Sequence, residues 1–191
     1  MHALHEHAEE NLRYIRSAME RAGTFTAIPG YGTIAVGVTA VVASLIAGDE
    51  VSRPRWLVAW LCEAVLAAVI AGVSIVLKAR ASSMSLASAP TRRFALAFLP
   101  AVAAGGVLTW VFWAHGLHDP IAPMWLLIYG TAVTAGGALS VRIVPIMGLA
   151  FSLLGTIGFF LPEAAVPHLL TIGFGLLHVA FGAFIARYYG G

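Results

Sequence analysis

Two ionisable side chains stand where a chain this apolar should carry none. Glu63 lies inside the apolar run 56–78, and His178 lies near the middle of the last apolar segment, Ala165 to Tyr188. In hydrocarbon such groups are costly unless they are paired or face a cavity, so they mark candidate sites. Glu63 shares a helical face with Trp56, Trp60 and Ala67, so the Trp60 indole beside the carboxyl could wall an outer pocket, while Trp56, Trp113 and Trp125 suit an interfacial aromatic belt. His178 recurs with Gly175, Gly182 and Ala186 at helical spacing. It therefore lies on a face of small residues, the kind that packs against neighbouring helices. A Glu63–His178 pair could exchange a proton as the pocket fills, which is the chemistry of proton-linked transport or ligand sensing. The plainer reading is a protonated glutamic acid and a neutral histidine, each hydrogen-bonded to an adjacent helix.

A second set lies toward the ends of the spans. His115, His118 and Asp119 place two imidazoles and a carboxylate close in sequence, and His168 precedes the last span. With Glu63, these are candidate ligands for a divalent metal such as zinc, which accepts nitrogen and oxygen donors. Gly116 and Pro120 argue that the helix ends among them, and neither HExxH nor HxxxH occurs. A polar helix end is the simpler explanation. Haem needs histidines facing each other at one depth. Only His178 is mid-span, which leaves an outer haem on His115 or His118 with His168. Neither haem nor metal is favoured, and no phosphate-binding loop or nucleophile elbow is visible.

The elements that must position these residues follow from composition. Of 191 residues, 60% are hydrophobic and 10% charged, against about 45–50% and about 25% in soluble domains. That balance places the chain in a lipid bilayer. A net charge of +2, without a basic cluster, excludes nucleic acid as a partner. The single cysteine, Cys62, excludes an intrachain disulfide. Met1 to His7 has neither the basic nor the apolar region of a cleavable signal, so the first span is expected to direct insertion.

Residues 1–23 carry Leu4, Ala8, Leu12, Ile15, Met19 and Ala22 at steps of three and four, with charges elsewhere. This predicts an amphipathic helix that docks under the bundle, lies on the membrane or holds a protein partner. Ile28-Pro29-Gly30-Tyr31-Gly32 then turns the chain into residues 24–191, with apolar runs at 31–48, 56–78, 94–115, 121–140, 143–161 and 165–187. Each approaches the roughly 20 residues that a span needs. The expected fold is an all-α integral membrane protein of six transmembrane helices behind an amphipathic helix. The boundary between the fourth and fifth runs rests on Arg142 and Pro145.

With six spans, Arg13, Arg16, Arg21, Lys78, Arg80, Arg92, Arg93, Arg142 and Arg187 share one side, and only Arg53 and Arg55 lie on the other. The positive-inside rule then predicts a multi-pass cell-membrane protein with both termini cytoplasmic. Glu63, His115, His118, Glu163, His168 and all five tryptophans fall in the outer halves or ends. Tyr31-Gly32-Thr33 and Tyr129-Gly130-Thr131 hint at two inverted three-helix repeats. Small-residue faces at Ala40, Ser44 and Gly48, at Ala132, Gly136 and Ser140, and at Gly148, Ser152 and Thr156 predict a close-packed bundle or a homo-oligomer. The functional expectation is a small transporter or ligand-binding protein whose outward pocket, holding a small molecule or ion, is built from Glu63, His178, Trp60, His168 and His115. The alternatives are a haem- or quinone-carrying electron-transfer subunit and a scaffold acting through its N-terminal helix.

Overall fold

The computed structural model describes residues 28–81, 87–138 and 140–190. The expected N-terminal amphipathic helix and its partner surface lie outside the described residues. Within them the chain is helical, with no strand: α1 (Gly30–Ala47), α2 (Pro54–Ala81), α3 (Ala89–Ala114), α4 (Ile121–Gly137), α5 (Ile143–Gly158) and α6 (Glu163–Tyr189). Proline sets most of the starts. Pro29 precedes α1, Pro54 opens α2, Pro90 is in the first turn of α3, and Pro120 precedes α4. Its fixed φ suits a first turn, where the missing N–H has no helical partner to lose. Gly48 (φ 75°) ends α1 and Gly116 (φ 72°) follows α3, both in the left-handed region that favours glycine.

Helices α1, α2, α3 and α6 are long and apolar enough to cross a membrane. The other two are shorter than the runs 121–140 and 143–161 suggest: α4 has 17 residues and α5 has 16. At 1.5 Å per residue each is about 25 Å long, below the roughly 30 Å of a hydrocarbon core. Gly136-Gly137 ends α4, and α5 stops at Gly158, before the Phe159–Pro162 connection. The last helix is not uniform. It opens with a 3-10 turn at Glu163–Ala165, widens to a π-helix over Thr171–Leu177, and returns to α geometry at His178.

Four helices form a packed spine. The two most extensive interfaces are α4 with α5 and α1 with α6. Both depend on absent side chains. A Cβ on Gly148 would lie 2.5 Å from the Thr134 backbone nitrogen, and one on Gly182 would lie 2.7 Å from that of Ile34. Real atoms do not approach so closely, so glycine permits these crossings. Of the small-residue face expected around His178, Gly175 meets Val41 and Gly182 meets Ile34, both on α1. Helix α6 also touches α4 and α5 and so joins the two pairs.

Helix α2 packs on α1 and helix α3 on α4, but α2 and α3 form no packed interface with each other. In the most apolar stretch of α2 and of α3, 11% of residues are buried, against 39% in α1 and α6. At one end of the bundle, Lys78 of α2 donates to the carbonyls of Ile28 (2.8 Å), Tyr189 (3.1 Å) and Gly190 (2.6 Å). It thus caps the C-terminal end of α6, where a cation is favoured, and ties that end to the segment entering α1. At the opposite end, the connections Asp49–Ser52 and Gly116–Asp119 and residues Glu163, Ala164, Pro167 and His168 border one open depression of about 520 Å³.

Candidate functional site

The space between the spine and the two flanking helices is a cavity of about 330 Å³, lined from all six helices. Helix α2 supplies Trp56, Trp60, Glu63, Ala67 and Ala71 along one face, while Phe94, Phe98, Val102 and Thr109 of α3 stand opposite. The floor comes from Val36 of α1, Trp125 and Tyr129 of α4, Met147 of α5, and Phe174 and His178 of α6. Among the described residues no lysine or arginine lines it, and Glu63 is its only acidic residue. Its size is near the lower end of the roughly 300–1,000 Å³ typical of small-molecule pockets, and its apolar wall with a few polar groups is their usual composition.

Glu63 and His178 both line this cavity, yet each has a different partner. The Thr39 hydroxyl of α1 lies 2.8 Å from Glu63 Oε1. It is also 3.0 Å from the Val36 carbonyl and 3.2 Å from that of Ala35. A hydroxyl carries one proton and two lone pairs. Thr39 therefore suits both forms of Glu63, donating to a carboxylate or accepting from a carboxylic acid while donating to its own helix. Glu63 is 6% exposed, and among the described residues it has no cationic partner and no second hydrogen bond.

His178 is 3% exposed. Its Nδ1 lies 3.0 Å from the Phe174 carbonyl and its Nε2 2.8 Å from the Tyr129 hydroxyl. A carbonyl only accepts, so Nδ1 carries the proton; in the neutral ring Nε2 then accepts from Tyr129. Tyr129 is held in a cluster of rings, with centroids 4.9 Å from Phe151, 5.0 Å from Phe174, 5.4 Å from His178 and 5.8 Å from Phe98. The π-helix lies immediately before His178, a type of distortion frequent at functional sites. Farther along, Trp125 Nε1–H donates to Thr109 at 2.7 Å. The Nε1 atoms of Trp56 and Trp60 are buried without an acceptor among the described residues.

The remaining expected site residues lie elsewhere. His118, Asp119 and His168 border the open depression at the bundle end. His115 is exposed, with Nδ1 2.8 Å from its own helix carbonyl at Val111, and the His118 ring packs edge-on against Trp113 at 4.5 Å. Among the described residues no three of His, Cys, Asp or Glu come together as a metal-holding group. Both nitrogens of His178 are engaged, so haem ligation there would require breaking its bond to Tyr129. The matching Tyr-Gly-Thr triplets are not equivalent in place: Tyr31 is at the start of α1 and 70% exposed, whereas Tyr129 is in mid-helix facing the cavity.

Thr39 and Tyr129 join the site without standing out in the sequence. Their signal is faint, because threonine and tyrosine are ordinary in apolar helices. No known protein family, curated protein or solved structure matches the chain.

Proposed function

We propose that the protein is a multi-pass membrane protein that binds a small, mainly apolar molecule in the inter-helix cavity, as a carrier or a sensor. One observation carries this reading: a 330 Å³ apolar cavity drawn from all six helices, whose wall includes Glu63, held by Thr39, and the Tyr129–His178 pair. The unpacked seam between α2 and α3 is the access route, so the molecule enters from the bilayer. The distribution of lysine and arginine supports an orientation with both termini cytoplasmic. Glu63 then lies in the outer half of α2, about two and a half turns from the helix start, and the acidic depression faces outward.

The test is equilibrium dialysis of 4-phenylbutanol against the full chain in zwitterionic lipid nanodiscs, with empty nanodiscs as the reference. The expected result is saturable uptake approaching one molecule per chain above the lipid background. Uptake equal to that of empty discs would remove the cavity as a binding site.

A further inference from the structure

The geometry points to a lipophilic organic cation, an ammonium group on an apolar body, as the class of molecule this cavity takes. The inference rests on the cavity being a binding site and concerns what the site selects. Glu63 Oε1 is met by Thr39, while the second carboxyl oxygen has no partner among the described residues. A buried carboxylate without a counter-charge is strongly unfavourable, and a hydrogen-bonded cation offsets much of that cost. Among the described residues no lysine or arginine lines the cavity; on α2 itself, Arg55 is exposed and outside the lining, and Lys78 is committed to the carbonyls of Ile28, Tyr189 and Gly190. Glu63 can then be neutral by holding a proton, or charged when the occupant supplies the cation.

The rings argue for the same class. Trp60 precedes Glu63 by three residues and Trp56 by seven, placing both indoles on the carboxyl's face, and their centroids lie 6.4 Å apart. Phe98, Trp125, Tyr129 and Phe174 add further rings to the wall. Aromatic faces attract cations, most strongly when water is excluded. A carboxyl flanked by rings therefore offers an ammonium both an ion pair and cation–π contacts. The alanines at 64, 67, 68 and 71 leave room for the apolar body. An anionic amphiphile would meet Glu63 with no base to offset it, and a neutral one would leave the carboxyl unpaired.

The experiment compares three probes on one skeleton, 4-phenylbutylamine, 4-phenylbutanol and 4-phenylbutanoate, by equilibrium dialysis with the full chain in zwitterionic nanodiscs at neutral pH. An aliphatic amine is protonated there. The amine is expected to bind about ten-fold tighter than the alcohol or better, with the butanoate weakest. In Glu63→Gln, of nearly the same shape, the amine should fall to within about three-fold of the alcohol. An alcohol or butanoate that matches the amine on the wild-type chain would overturn the proposal, as would a Gln variant that keeps the amine preference. The wild-type series decides even if the variant does not fold. Binding of all three probes with equal strength defeats only the cationic class, whereas binding of none defeats the cavity reading as well.

Discussion

The spine and its flanks solve the same packing problem in opposite ways. Where α4 meets α5 and α1 meets α6, glycines let backbones touch, and Gly130, Gly148 and Gly182 leave no room for a methyl group. On the flanks, Gly72 of α2 and Gly106 of α3 have nothing within 4 Å of where a Cβ would stand. Both regions are rich in small residues. In the spine they bring helices together, and on α2 they hollow out a cavity. Small residues alone therefore do not specify contact. The rigid half supplies fixed polar partners in Thr39, Tyr129 and His178, and the loose half supplies the carboxyl and a seam through which a molecule can pass.

The sharpest way to break this comparison is to give both halves the same change. Gly148→Ala pushes a methyl into the Thr134 backbone, which cannot yield as a side chain would. Overpacking typically costs about 1–3 kcal/mol, occasionally more, and the upper end is expected here, read as a large fall in the thermal midpoint in detergent.

The spine's polar pair comes next. Tyr129→Phe leaves the buried Nε2 of His178 unpaired and should cost about 1–3 kcal/mol. Adding His178→Leu should cost less than the sum of the two single changes, because the orphaned nitrogen disappears with it. Strict additivity in that cycle would mean the pair is not coupled.

Thr39→Val removes one hydrogen bond from a carboxyl that faces open space, so about 1 kcal/mol is the expected loss. A larger loss than for Tyr129→Phe would contradict the expectation that orphaning a buried ring nitrogen costs more than removing one hydrogen bond from the carboxyl. The smallest effect belongs to the flanks: Gly72→Ala and Gly106→Ala should be neutral or stabilising by about 0.5–1 kcal/mol through helix propensity. Destabilisation there would reveal a partner surface on the flanking helices.

Much of this was legible in the residues. Glu63 and His178 stand out because charge is rare in apolar runs, and both line the cavity. The helical class and the long apolar helices follow from composition and periodicity. The pairing of the two residues was not legible, because it depends on which helices are neighbours and how they are rotated. Thr39 reaches Glu63 only because α1 packs on α2, and Tyr129 reaches His178 only because α4 meets α6. The shortness of α4 and α5 reflects glycine and proline acting at helix ends, where apolar content carries no information. The π-helix has no sequence mark beyond its glycines. The open seam was not legible either, because alanines such as those at 64, 67, 68 and 71 suit a tight helix contact as well as a cavity wall, and only the absence of an α2–α3 interface decides between them.

The most direct test fills the space. Ala67 lies one turn beyond Glu63 on the cavity wall, and Val65, 67% exposed, does not line it. The measurement is 4-phenylbutanol uptake by Ala67→Phe and Val65→Phe chains in nanodiscs, each first shown to unfold cooperatively. The cavity account predicts that Ala67→Phe loses saturable binding while Val65→Phe keeps it. A folded Ala67→Phe chain that binds as well as wild type would contradict the account.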